Sequence, residues 1–378
     1  MVLRFLINSG ILNLTLGFLA GIMLLYMFLP EDKHVQFEDL ALGDETKSVF
    51  TKVDNRKIHC NDLTDSRECV AAYHELGRKQ PVILWLGNSQ VHAINQPKSN
   101  DETAATKLHR KFQMEDKYFL TYSQPNANLQ EHYILFSHMI TKLPITKLLI
   151  PVVFDDMRED GIRTSLLSVF ENSSAVQKIK QSDLGLKIYS DYLKQSRPAS
   201  DFAGLDKSIQ ENIEIILNEK LGEFWTIWDS RPSFRGQLLN FLYISRNWIF
   251  GINPSTTRKM IPGRYATNLK AFKEILELAK ENRIDVLVYV APLRNDVKIP
   301  YQTQSYSEFK LEIENVTIQK GFYFSNFENI VPPEYWGFKR SSSLGGDREL
   351  DFMHFKEAGH QLLADSIYKR LLELDANQ

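Results

Sequence analysis

Five short apolar runs, alternating with stretches of helical periodicity, decide what this chain can fold into. The runs are Pro81-Val-Ile-Leu-Trp-Leu86, Tyr118-Phe-Leu-Thr-Tyr122, Lys147-Leu-Leu-Ile-Pro-Val-Val-Phe154, Ile284-Asp-Val-Leu-Val-Tyr-Val290 and Phe322-Tyr-Phe324. Most are continuous rather than alternating in polarity, as strands buried on both faces are. Helices are predicted over Leu129–Leu143, Thr267–Asn282, Tyr306–Gln319 and Phe355–Leu372; the last carries Leu362, Leu363, Ile367, Leu371 and Leu372 on one face. The pattern predicts an α/β fold with a five-stranded parallel sheet and helices on both faces. In such sheets ligands sit beyond the carboxyl ends of the strands. Residues 160–262, between the third and fourth strands, exceed any ordinary connection. They hold helical stretches at Ile209–Leu221 and Gln237–Phe250 and an aromatic cluster at Phe224–Trp228, and read as a helical insertion over the active face.

A membrane anchor is predicted at residues 5–30. No charged residue occurs there, and roughly 20 apolar residues suffice to span the hydrocarbon core. The run ends Tyr26-Met-Phe-Leu-Pro30, bulky where a cleavage site needs small residues. Arg4 precedes it and Glu31 and Asp32 follow, which favours a single pass with a cytoplasmic N-terminus and a large extracytoplasmic domain, periplasmic or on the cell surface. Gly17-x-x-x-Gly21 is a spacing that lets another membrane helix approach closely. Residues 31–80 read as a stalk and lead-in helix. Cys60 and Cys69 either close a short disulfide loop or stay as two buried thiols. Two cysteines exclude a zinc ribbon or an iron–sulfur cluster. With 45 Lys+Arg against 47 Asp+Glu, no basic surface is implied and no nucleic-acid partner is expected.

Two segments carry the chemistry. Gly87-Asn88-Ser89-Gln90 follows the first strand, where a serine hydroxyl and the turn's N–H groups face a ligand. Asp351-Phe-Met-His354 lies before the last helix, and a helix-entry turn at that point sets the two side chains next to each other. A serine hydroxyl needs a nearby base to attack an ester, and a carboxylate orients and stabilises that base. Ser89 is then the nucleophile, His354 the general acid/base and Asp351 its orienter. The acidic stretch Asp155-Asp156 with Glu159 and Asp160 reads as a solvated or capping loop rather than a metal site. His92, His132 and His138 lack ligand spacing, and His354 and His360 are six apart. No Gly-rich phosphate loop is present. No metal or organic cofactor is expected.

With these motifs in place, residues 81–375 resemble the SGNH (GDSL-like) hydrolase and acyltransferase superfamily. Gly87-Asn88-Ser89 matches its Gly-Asp-Ser block, with Asn for Asp, and Asp351–His354 matches its Asp-x-x-His block. The resemblance implies a flavodoxin-like sheet, a Ser-His-Asp triad and ester chemistry on acyl groups. It departs in two blocks. Ser123-Gln-Pro-Asn126-Ala-Asn128 lacks the oxyanion-hole glycine, and Phe154–Gly161 lacks the Gly-x-Asn-Asp asparagine. The oxyanion and substrate-binding candidates are therefore the Ser89 N–H, Asn126 or Asn128, and Arg158. An anchored domain of this kind looks like the membrane-tethered branch in cell-envelope acylation, whose members commonly accompany a multispanning membrane O-acyltransferase. The implied function is a serine esterase or O-acyltransferase acting on an acylated carbohydrate or other envelope polymer. The alternative is a non-catalytic, membrane-anchored binding or assembly module of an envelope acylation complex.

Overall fold

The structure is a computed structural model; it describes residues 45–196, 255–339 and 348–376, apart from 62, 78 and 79, with isolated positions elsewhere. Isolated positions aside, the expected anchor at 5–30, the stalk up to 44 and the expected helices at Ile209–Leu221 and Gln237–Phe250 lie outside the described residues. Among the described residues no helix is long and apolar enough to cross a membrane.

The chain enters through β1 (Thr46–Ser48), β2 (Lys52–Val53), β3 (Arg56–Lys57), β4 (His59–Cys60) and α1 (Leu63–His74). It continues with β5 (Val82–Gly87), α2 (Ser89–His92), β6 (Ala93–Asn95), α3 (Ala104–Gln113), β7 (Tyr118–Ser123), α4 (Leu129–Met139) and β8 (Ile145–Val152). Two 3₁₀ segments, Asp156–Arg158 and Thr164–Glu171, precede α5 (Ser173–Ile179) and α6 (Asp183–Ser196). Then come α7 (Pro262–Glu281), β9 (Asp285–Val290), α8 (Thr303–Gln319), β10 (Tyr323–Asn326), β11 (Trp336–Lys339), β12 (Glu349–Phe355) and α9 (Glu357–Ala376).

The central sheet runs β10-β9-β8-β5-β7-β4, and every pairing in it is parallel. Strand alternation sends Leu84, Leu86, Leu120, Leu148, Ile150 and Val288 to one face, with α4, α7 and α8. It sends Ile83, Trp85, Phe119, Leu149 and Tyr289 to the other, with α3 and α9. Both faces are therefore core, which is why the strands read as apolar runs. Chain order reverses at β5, whose neighbours are β7 and β8. A crevice forms at such a reversal, beyond the carboxyl ends of the strands.

The sheet has six strands rather than five. The added one is β4, at the edge beyond β7, with His59 and Cys60 opposite Thr121 and Tyr122. Two residues, one of them histidine, make no apolar run. The end of the expected stalk thus belongs to the folded unit, which comprises residues 44–197 and 252–378. Of the two cysteine readings, the structure makes the disulfide: Cys60 pairs with Cys69 and ties the edge strand to α1. The described start of the insertion, residues 164–196, is helical and adds Val169, Phe170, Ile179 and Ile188 to the core beside α4.

Several histidines are sealed in this core. Burial holds His59 down to about 3, with His360 and Lys57 adding to the effect. Burial likewise holds His132 and His360 to about 3. An unfolded chain protonates these groups near pH ~6.5, whereas the folded chain keeps them neutral. Their stabilising contribution is complete above that pH and is lost as pH falls towards about 3. Each group costs the fold about 1.4 kcal/mol per pH unit in that window. The three groups act in the same direction, so their losses accumulate as pH falls. Thermal melting followed by circular dichroism is expected to show the melting temperature falling steeply between pH 6.5 and 4. A melting temperature constant over that range would contradict the buried neutral histidines.

Candidate active site

Gly87 ends β5, and the chain turns at once into α2. A Cβ at Gly87 would lie 2.5 Å from Val91 Cγ2, so only glycine lets the turn close this tightly. Asn88 caps α2, its side-chain oxygen accepting from Gln90 N at 3.0 Å. Its amide nitrogen donates to Asp156 Oδ2 at 2.7 Å. Burial pushes the Asp156 carboxyl well above its usual range, and only the Asn88 hydrogen bond opposes this. Asn in place of Asp thus has a local reason: an aspartate at 88 would set a second carboxyl against Asp156. Ser89 is the first residue of α2 and has no intrahelical acceptor for its N–H.

The second half of the site comes from the β11–β12 hairpin. The sequence predicts a helix-entry turn for Asp351–His354, but the segment lies within β12. Trp336 and Phe338 of β11 face Phe355 and Leu350 of β12, so β12 carries an irregular bulge between its paired ends. Asp351 closes that bulge: its Oδ1 accepts from Met353 N at 2.9 Å and His354 N at 3.0 Å. A flat strand would turn residues three apart to opposite faces; the bulge brings them together.

The three expected residues converge. His354 Nδ1 is 2.9 Å from Asp351 Oδ2, and His354 Nε2 is 3.0 Å from Ser89 Oγ. With Nδ1–H given to the carboxylate, Nε2 carries the lone pair and the serine hydroxyl donates to it. Asp351 is buried and His354 nearly so, while Ser89 is partly exposed. Burial alone would raise the Asp351 carboxyl. The charge and hydrogen bond of His354, with the two backbone N–H groups, outweigh it and hold the carboxyl down to about 2. Asn95, on β6, donates to Asp351 Oδ2 at 3.4 Å and anchors itself on Thr46 and the Phe338 carbonyl.

The remaining candidates are placed differently. The Asn128 side chain forms a capping box for α4 and donates to the Gly161 carbonyl at 2.8 Å. Arg158 donates to Asp155 at 2.9 Å and to the Lys259 carbonyl at 2.9 Å, which makes it a brace of the loop after β8. Asn126 stands exposed with φ of 50° at the tip of the turn after β7. Asp155 of the acidic loop receives Arg158, Arg258 and Tyr301. Among the described residues no group of three or more His, Cys, Asp or Glu side chains could hold a metal ion.

Two contributors carry no signal in the sequence. Gln90 is buried, and its Nε2 donates at 2.8 Å to both the Pro292 and Met353 carbonyls. It clamps the turn carrying Ser89 to the exit of β9 and to the residue preceding His354. Ser123, at the end of β7, lies 2.8 Å from His92 Nδ1 and 2.6 Å from His59 Nε2. That buried contact pins the end of α2 to the sheet. A single glutamine beside a serine, or a histidine in an edge strand, has no distinguishing spacing, and only the fold reveals these roles.

No family model matches the chain, and no curated protein matches it. Among solved structures it is similar to a Bacteroides fragilis NCTC 9343 protein provisionally assigned as an acylhydrolase. The identity is 9% and the TM-score 0.36, over 80% of this chain and 94% of that one. It is also similar to a GDSL-like lipase from Bacteroides thetaiotaomicron VPI-5482, at 10% identity and TM-score 0.36, over 82% of this chain and 98% of that one. Similarity of this degree leaves the chemistry of the site to rest on its own geometry.

Proposed function

We propose that this chain is an SGNH-type serine esterase or O-acyltransferase, with Ser89, His354 and Asp351 as its triad. The observation that carries the reading is the continuous hydrogen-bonded line from Ser89 Oγ through His354 to the buried, ionised Asp351 at the strand ends. Ser89 Oγ attacks the ester carbonyl while its proton passes to His354 Nε2. The N–H of Ser89, the first residue of α2, donates to the oxyanion. When the intermediate collapses, the carbon–oxygen bond to the leaving alcohol breaks and that oxygen takes the proton from His354. Water, or the hydroxyl of an acceptor, then attacks the acyl-serine and releases the acid or the new ester. Hydrolase and transferase share this intermediate and differ in which nucleophile reaches it.

The wider setting is part of the same proposal. Residues 5–30 anchor the chain with its large domain extracytoplasmic, and the substrate is an acylated carbohydrate or related envelope polymer, handled beside a multispanning membrane O-acyltransferase. The uncharged run, Arg4 before it and the acidic pair after it support that orientation. A C-terminal reporter active only outside the cytoplasm should be active; a cytoplasmic reporter active in its place would overturn it.

The test of the chemistry is turnover of an acetyl ester and acylation of the envelope polymer in cells. Ser89→Ala is expected to lower turnover by at least about 10⁴-fold with the circular dichroism spectrum unchanged. His354→Ala should lose about as much, and the double variant little more, because the triad acts as a unit. Full polymer acylation by a folded Ser89→Ala protein would overturn the assignment in favour of the assembly-module reading.

A further inference from the structure

The insertion between β8 and α7 holds a helical stretch whose burial is inverted. The described positions from 241 to 250 are helical. Phe241, Leu242, Ile249 and Phe250 are between 53% and 71% exposed, whereas Asn247 is 1% exposed. The polar residue is turned in and satisfied, since Arg246 Nη2 donates to Asn247 Oδ1 at 2.8 Å. At 3.6 residues per turn, Leu242 and Ile249 fall on one line with Phe241 and Phe250 flanking it, and Asn247 lies off that face. A helix on a water-facing surface arranges such residues the other way, apolar stripe inward and amide outward. Single exposed apolar side chains are ordinary; four large ones on one helical face mark a contact.

Charge, length and neighbourhood select the occupant. From Gln237 to Phe250 the sole charged residue is Arg246, a cation suited to anionic headgroups. Tyr243 and Trp248 are of the type that gathers at the membrane–water boundary. Ten helical residues extend about 15 Å, half of the roughly 30 Å hydrocarbon core, so the stretch can lie along a bilayer but not cross it. Residues 198–251 also belong to the same compact unit as residues 1–43, which hold the uncharged run. A bilayer that takes up that run is a surface this unit already meets.

We infer that residues 241–250 form a second, interfacial membrane contact, with Phe241, Leu242, Ile249 and Phe250 set into the lipid and Asn247 turned away from it. The inference deepens the membrane setting proposed above and rests on the anchor reading of residues 5–30 for the neighbouring bilayer.

The experiment places one nitroxide at a time on the full-length chain in vesicles of phosphatidylcholine with a quarter phosphatidylglycerol. The native cysteines are tied to each other, so label goes to the introduced thiol of Ile249→Cys, Phe250→Cys, Phe18→Cys or Lys194→Cys. Lys194, with 72% of its side chain exposed on α6, is the water-facing reference. Electron paramagnetic resonance compares relaxation by oxygen, which concentrates in lipid, with relaxation by a water-soluble nickel chelate. The oxygen-to-nickel ratio at 249 and 250 is expected to exceed that at 194 severalfold. In the unsubstituted chain, a diazirine-bearing phospholipid should label the tryptic peptide Asn247–Arg258. Nickel access at 249 and 250 equal to that at 194, with that peptide unlabelled, would overturn the contact. Exclusion of both oxygen and nickel at 249 and 250 would overturn it in favour of a protein covering the face. A lipid signature at Phe18→Cys without one at 249 and 250 would leave the anchor standing and sink this inference. The reverse pattern would sink the anchor and leave the interfacial contact.

Discussion

An ionised carboxylate buried behind a histidine is expensive unless every lone pair is answered, and the site depends on how Asp351 is answered. Two backbone N–H groups of its own bulge, the ring of His354 and the amide of Asn95 all reach it. Asn95 can do so because residue 337 is glycine: a Cβ there would sit 1.7 Å from Asn95 Oδ1. The hairpin holding that glycine is braced by Arg294, which donates to the Gly337 carbonyl at 2.9 Å. A chain of contacts thus runs from a buried arginine through a glycine and an asparagine to the carboxylate, then through the imidazole to the serine. The low value of the Asp351 carboxyl expresses how completely the surroundings compensate its burial.

The turn carrying Ser89 is fixed just as firmly from the other side. Asn88 joins it to Asp156 beyond β8, Gln90 joins it to the exit of β9 and to Met353 in the bulge of β12, and His92 joins it to Ser123 at the end of β7. The ends of three strands and the bulge of β12 are laced to a four-residue helix and its cap at the point where the sheet order reverses. This bracing fixes the contact of 3.0 Å between Ser89 Oγ and His354 Nε2.

The sequence carried the fold where burial on both faces wrote itself as an apolar run, as in Val82–Gly87 and Asp285–Val290. It did not carry β4, because a two-residue edge strand whose first member is a histidine has no pattern to detect. Ser89, Asp351 and His354 could be chosen because a strand-end serine and an Asp-x-x-His spacing each imply a mechanism. The bulge that joins the last two could not, since it depends on pairing with Trp336 and Phe338 across the hairpin. Asn128 shows the converse. An asparagine after a strand suits an oxyanion donor and a helix cap equally, and the capping box with Glu131 shows the second of these.

The account turns on whether Ser89 is an activated nucleophile, and covalent trapping measures that most directly. Full-length protein treated with a fluorophosphonate, digested and analysed by mass spectrometry is predicted to carry one adduct, on the peptide containing Ser89. Labelling should be abolished in His354→Ala, because the serine then has no base. No adduct on the folded protein, or an adduct on another serine that persists in Ser89→Ala, would contradict it.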